Sequence, residues 1–329
     1  MNFCEQKTLL DTLHRSLEWP LVELAMKRGV FDLLSEPENA NYIAQQLEWD
    51  PQKTALFLNG LCSLNLIEKA DEKYQLKEGY QAFLLSSSAT SMVPTLLHLT
   101  RVKTITSSQL EQVLSRKPTS VPETRFDKAE FWQESVRNLR SFHRSCGTEF
   151  MAEILSHLPE WGRVKNALEI GAGSETLANH LTNIHSGLTA HIFDLPPVIA
   201  QIAPRTADNS RVVLHQGDYN IANLPKGFDL IFSSMSLYYA NDLNTLIRQI
   251  NQSLVDGGIF VSLHEGLQEQ RTQPRHHVIG RLLPSLNGND VSFDQGNIAN
   301  AMLEAGFRRV KSRSIDTPFG SMELDIAYK

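Results

Sequence analysis

Three carboxylates close successive apolar runs in this chain, at spacings suited to holding a nucleoside. In ALEIGAGSETLANHL (167–181) an apolar run ends around Glu169, and Gly171-Ala172-Gly173 turns the chain into a helical pattern. Glycines suit that place because the backbone bends sharply and a ligand has to approach closely. A Gly-x-Gly alone would also suit a dinucleotide. Asp194 closes the next run, HIFDLPP, 23 positions after Gly171, where a carboxylate can bond ribose hydroxyls. Asp218, in HQGDY, closes a third run and could receive an adenine amino group. Further on, GIFVSLHE ends in His264-Glu265. An imidazole beside a carboxylate there would be a base of ordinary pKa.

These residues need a scaffold that brings strand ends together. From residue 164 the runs VKNALEI, LTAHIFDL, VVLHQGD, FDLIFSS and GIFVSLHE alternate with helical stretches at 175–185, 197–205 and 243–254. That alternation predicts a parallel, doubly wound α/β sheet. Residues 8–35, 40–47 and 51–66 carry helical periodicity, and LIEKADEKYQL reads as a hairpin, the element order of a winged helix. Helical pattern returns over 129–158, and KPTSVPETR reads as a loop.

Composition narrows the function classes. The chain has 329 residues and a net charge of −6, with 8 Lys/Arg against 13 Asp/Glu in residues 1–90. That balance argues against nucleic-acid binding. The helix at 51–66 offers only Lys53 as a cation, too little for meeting phosphates. No run reaches the ~18 apolar residues of a membrane helix, and the N-terminus has no secretion-signal pattern. The three cysteines, Cys4, Cys62 and Cys146, are scattered and fit a reduced cytoplasmic protein without a structural zinc.

The ordered set resembles a known family, the S-adenosylmethionine-dependent small-molecule O-methyltransferases with an N-terminal winged-helix dimerisation domain. RGVFDLL, IAQQL, LFLNGLCSLNLIE, IFDLPPVI, GDY, DGGIFVSLHE and EAGFRRV carry the resemblance across almost the whole chain. It implies a Rossmann-like class I methyltransferase sheet preceded by a mostly helical dimerisation domain. The division it implies is 1–90 for dimerisation, 91–145 as a helical linker lining the substrate pocket, and 146–329 for the cofactor. By resemblance, Glu169, Gly171 and Gly173 line the methionine end of S-adenosylmethionine and Asp194 the ribose. Asp218 with Tyr219 would meet the adenine, and Leu195, Gly217, Ser233 and Ser234 complete the cofactor set. Glu175 stands where the family usually has a third glycine. No metal is implied.

The family's base is a His in an HDW-like tripeptide, which falls here on Tyr238-Tyr239-Ala240 of SMSLYYAND; the frequent Lys before it falls near Ser234. A phenol of pKa about 10 is a poor base near neutrality, and a positioned base is worth typically ~10²–10⁴-fold. Tyr238, His264 and Glu265 are therefore the catalytic candidates. Phe131, Trp132, His143, Tyr239, His276, His277 and Arg281 are expected at the substrate. RTQPRHHVIGRLLP (271–284) is cationic, with a solvated face as one reading and an acidic substrate group paired with Arg275 or Arg281 as the other. The expected activity is methyl transfer to the oxygen, carbon or nitrogen of a small aromatic secondary metabolite, by a homodimer. Two other classes stay open: a pericyclase- or hydroxylase-like enzyme holding S-adenosylmethionine as a charged fixture, and a ligand-responsive DNA-binding regulator.

Overall fold

The computed structural model describes residues 3–115, 129–288, 290 and 292–329. The expected loop at 117–125 lies outside them. Two compact units divide the chain, residues 1–102 and 103–329.

The first unit opens with α1 (Cys4–Lys27) and the short α2 (Val30–Leu33), which split the helical run expected over 8–35. The break falls at Gly29, whose φ of 66° lies in the left-handed region that ends helices cheaply. A two-residue strand β1 (Glu38–Asn39) precedes α3 (Ala40–Leu47), and α4 (Pro51–Ser63) follows. Asn39 and Asp50 cap these helices by accepting the N–H groups of Tyr42 and Lys53, each at 2.9 Å. β2 (Ile67–Ala70) and β3 (Lys73–Leu76) form the expected hairpin, with β1 pairing on β3. Its two loop residues, Asp71 and Glu72, both have positive φ, as a tight hairpin turn requires. Phe31, Leu34, Ile43, Leu58, Leu61 and Tyr74 form a buried core. α5 (Glu78–Leu84) and α6 (Val93–Lys103) follow.

The second unit continues with α7 (Ser107–Leu114) and α8 (Ala129–Phe142). A π-helical turn at His143–Gly147 joins α8 to α9 (Thr148–Ser156). Then come β4 (Asn166–Ile170), α10 (Thr176–Ile184), β5 (Thr189–Asp194), α11 (Pro196–Ile202) and β6 (Val212–Gln216). β7 (Phe228–Ser234), α12 (Leu243–Ser253) and β8 (Leu254–His264) follow. The chain closes with α13 (Arg275–Asn287), α14 (Asn297–Glu304), β9 (Arg309–Thr317) and β10 (Gly320–Tyr328).

The strands form one sheet in the order β6-β5-β4-β7-β8-β10-β9. Its first five strands are parallel, as expected; β10 is antiparallel to both β8 and β9. This terminal hairpin was not anticipated, because β9 is mostly exposed and lacks a continuous apolar run. β4 and β7 are apolar along most of their length because helices cover both faces of the sheet. α12 shows how such cover is encoded: Leu246, Ile247, Ile250 and Ser253 share one face and bury it. Each fully buried Leu or Ile side chain stabilises the sheet by roughly 1.5–3 kcal/mol. Chain order reverses between β4 and β7, so the crevice at their carboxyl ends is where a ligand belongs in an open α/β sheet.

Candidate active site

Glu169, Asp194, Ser233 and His264 all stand at or beside the carboxyl ends of parallel strands, so the topology gathers them at one edge. Glu169 is buried, and its Oε2 has no hydrogen-bond partner among the described residues. Burial, and then the neighbouring Asp194, push its carboxyl up to about 8. Gly171 and Gly173 turn the chain with φ of 70° and 65°. A β-carbon at Gly171 would lie 2.6 Å from that of Ser236, and one at Gly173 would lie 2.7 Å from Leu139. Backbone conformation thus favours glycine at both positions, and close packing on Ser236 demands it at Gly171.

Asp194 bridges the two loops: its Oδ2 accepts the Gly173 N–H at 2.8 Å and its Oδ1 accepts the Leu195 N–H at 2.7 Å. Burial raises its carboxyl to about 6 despite those donors. Leu195 caps α11. Gly217 is needed for packing, since a side chain there would strike the Phe193 ring at 2.7 Å. Asp218 accepts the N–H of Asn220 at 2.9 Å. Tyr219 donates its hydroxyl to the Ser236 carbonyl at 2.8 Å, and burial holds that phenol well above its ordinary pKa.

SMSLYYAND begins at the last residue of β7, Ser234, and makes a strained turn. Met235 has a φ of 51°, rare for a residue with a long side chain. Several bonds hold the turn in that conformation. The Met235 N–H reaches the Leu263 carbonyl at 3.0 Å. The Ser236 hydroxyl donates to the Ile170 carbonyl at 2.7 Å, so the Ser233 hydroxyl, 2.6 Å away, donates to Ser236. Ser236 was not foreseen as a site residue; a serine between two apolar residues carries no signal of its partners.

His264 corrects an expectation. It is fully buried, and its Nε2 accepts two successive N–H groups, Ser236 at 3.0 Å and Leu237 at 2.9 Å. Its Nδ1 therefore carries the proton and donates to the Ser262 hydroxyl at 3.0 Å. Burial, and then Arg281, lower its pKa to about 3. A ring whose lone pair is already engaged is not a base of ordinary pKa. Nor does Glu265 back it: Glu265 Oε1 lies 2.5 Å from Nε of Arg281. That contact is an ion pair with poor hydrogen-bond angles, and Arg281 Nη2 has no hydrogen-bond partner among the described residues. The Arg281 guanidinium lies 4.0 Å over the Tyr238 ring, at cation–π distance. Burial, with Tyr239 next, holds the Tyr238 phenol far above its usual pKa. Arg281 is thus an internal partner of Tyr238 and Glu265, and not a solvated charge.

The remaining substrate candidates divide. Tyr239 packs edge-on against Tyr238 at 4.7 Å and is 63% exposed. His143 lies 2.7 Å from the Ser174 hydroxyl, and burial lowers it to about 4. Phe131 and Trp132 contact each other edge-to-face, and Trp132 packs on the core cluster of Val136, Val198 and Ile199. His277 donates Nε2–H to the Ser321 carbonyl at 2.7 Å, and His276 would be struck by any side chain at Gly320. Those two histidines anchor α13 to the start of β10 and do not join Tyr238 and Arg281. Arg271 pairs with Asp290 and Asp294.

Glu175, at the place of the missing third glycine, is buried in a two-pronged ion pair with Arg140 of α8, at 2.6 and 2.8 Å. Sequence reading marked Glu175 as a departure but not its partner, which lies 35 residues earlier.

Residues 142–312 match the family described as a methyltransferase domain. The chain belongs to the methyltransferase family. That membership meets the expectation of an S-adenosylmethionine-dependent transferase drawn from the motifs. Among curated proteins, the chain is similar to the N,N-dimethyltransferase OxyT of Streptomyces rimosus, at 26% identity over 93% of this chain and 91% of OxyT. It is also similar to the acetylserotonin O-methyltransferase of Rattus norvegicus, at 22% over 96% of this chain and 76% of that enzyme. Among solved structures, human N-acetylserotonin methyltransferase in complex with SAM superposes with a TM-score of 0.77 at 19% identity, covering 99% of this chain and 98% of that one. The chain shares the Rossmann-like fold of that methyltransferase.

Proposed function

We propose that the enzyme transfers the methyl group of S-adenosylmethionine to a small aromatic metabolite whose acceptor atom is an amine nitrogen. The residues fit that cofactor on two observations. The buried Glu169 Oε2 is free to face the cofactor's ammonium group, and the Gly171 and Gly173 backbone turns with positive φ as a close ligand approach requires. Asp194 is the group for the ribose hydroxyls, and Asp218 for the adenine. Bound S-adenosylmethionine supplies a methyl on positive sulfur, which an acceptor lone pair displaces in line.

A single observation carries the nitrogen reading: each of the three catalytic candidates, Tyr238, His264 and Glu265, is already committed. Tyr238 lies under the Arg281 guanidinium with its phenol held neutral, Glu265 is tied to Arg281, and the His264 lone pair holds a turn. A phenol acceptor must lose its proton before or during attack. A neutral amine presents its lone pair directly and releases its proton to water after transfer. What the protein must supply is alignment, and alignment is the larger share of catalysis in such a displacement. The exposed Tyr239 ring beside Tyr238 offers a surface for an aromatic substrate. The OxyT relative, an N,N-dimethyltransferase by name, supports the same reading.

The experiment offers matched aromatic amines and phenols with S-adenosylmethionine and measures release of S-adenosylhomocysteine. Amines are expected to be methylated, and Tyr238→Phe is expected to keep kcat within about threefold, because the ring contact with Arg281 survives and the neutral hydroxyl takes up no proton. Methylation of phenols alone, or a loss of 10²-fold or more in Tyr238→Phe, as removal of a general base brings, would sink this assignment. Substrate turnover without S-adenosylhomocysteine would instead mark a fixture role for the cofactor.

A further inference from the structure

We infer that His264 is a positioning residue: as a neutral ring protonated on Nδ1, it aims the Ser236–Tyr238 turn by accepting two successive backbone N–H groups at Nε2. The inference goes beyond the proposed reaction, for which His264 supplies no proton transfer.

The turn needs such an anchor. Met235 is held at a φ of 51°, and strained backbone of this kind persists only where surrounding bonds over-determine it. The N–H groups of Ser236 and Leu237 are buried, and without an acceptor each would cost about 1–3 kcal/mol. Among the described residues no backbone carbonyl receives them; their acceptor is Nε2 of His264, at 3.0 and 2.9 Å. A nitrogen that accepts cannot also carry a proton, so the tautomer is dictated, and Ser262 completes it by accepting from Nδ1. Tyr238 follows directly in the chain, and its ring meets the His264 ring edge-to-face at 5.9 Å. The direction of Tyr238, and with it that of the adjoining Tyr239, is therefore set by the imidazole.

The surroundings keep the ring neutral. Phe293 covers another edge at 5.8 Å, and Arg281 opposes a second positive charge. Glu323 lies directly across on β10, but its carboxylate accepts from the Gly296 N–H and the Ser312 hydroxyl and is spent there. Glu265 is held by Arg281. None of these groups gives a protonated His264 a partner.

Two substitutions separate positioning from base catalysis. Glutamine carries a neutral acceptor near the Nε2 position but cannot take up a proton; leucine carries neither. His264→Gln is expected to keep kcat within about threefold of the wild type. His264→Leu is expected to lose on the order of 10²-fold in kcat, the cost of an ångström-scale misplacement, while still binding S-adenosylhomocysteine. Equal losses in both variants, or no loss in either, overturns the inference. A third measurement needs neither variant to fold nor any substrate to be known. Imidazole ¹⁵N shifts of the wild-type protein should show His264 neutral with Nδ1–H from pH 8 down to pH 5. A proton on Nε2, or an imidazolium at pH 6, overturns the inference even if no methyl acceptor is ever found.

Discussion

Glu169 is an acid held neutral by its surroundings, and its proposed place at the cofactor's ammonium group predicts that cofactor binding is proton-linked. Its carboxyl stands at about 8, raised first by burial and then by Asp194. A ligand ammonium placed beside it favours the ionised form and lowers that pKa. Binding then expels a proton wherever the free protein holds one, which is below pH 8. Affinity should accordingly rise with pH, by up to about tenfold per unit between pH 6 and 8, and level off above. Titration of S-adenosylhomocysteine by calorimetry across that range checks the slope, and Glu169→Gln should flatten it. The carboxylates were legible from the sequence because a strand end, a Gly-x-Gly turn and a fixed spacing announce them. The partners that set their ionisation were not, since burial is a property of the packed sheet.

At the scale of elements, the Arg140–Glu175 pair fastens α8 to the start of α10. Both side chains are nearly covered, and Glu175 is held ionised: burial would raise its pKa, but the hydrogen bonds and charge of Arg140 outweigh that and lower it. Two further contacts reinforce the seam. His143 meets Ser174 at 2.7 Å, and Leu139 fills the space that Gly173 leaves. Arg140→Met would strand a buried carboxylate, and removing one partner of such a pair typically costs 3–5 kcal/mol. Urea denaturation should show a loss of about that size. The double variant Arg140→Met/Glu175→Gln should recover part of it, because no charge then stays buried. A double variant as unstable as the single one would mean that the charge pairing is not what fastens α8. The parallel strands and the helices between them were readable, their apolar periods being regular; the short helices α5, α7 and α14 were not. β9 was not, because an exposed edge strand has no inward apolar series to betray it.

For the molecule as a whole, the open question is what covers α1. Leu9, Leu10, Leu13 and Leu17 are each more than half exposed on this helix, an apolar stripe of a kind that marks an interaction surface. We propose a second copy of the chain as its partner, in keeping with the dimerisation role that the family resemblance implies. Sedimentation should report a dimer for the wild type and a monomer for the Leu13→Glu/Leu17→Glu variant. A monomeric wild type would end the proposal. The acidic first unit should form no salt-sensitive complex with duplex DNA. Among the described residues no helix is long and apolar enough to cross a membrane.

What the sequence determined by itself is the alternation of parallel strands and helices, the methyltransferase fold and the place of the carboxylates at strand ends. Those follow from local periodicity, glycine placement and spacing, all of which are written along the chain. The tertiary structure alone decided what the candidate chemical groups do. His264 and Glu265 are neighbours in sequence, yet one holds the turn before Tyr238 and the other holds Arg281. A side chain's role depends on which lone pairs and charges its surroundings have already claimed. Those claims come from residues 16 to 28 positions away in the sequence, brought together only when the sheet closes.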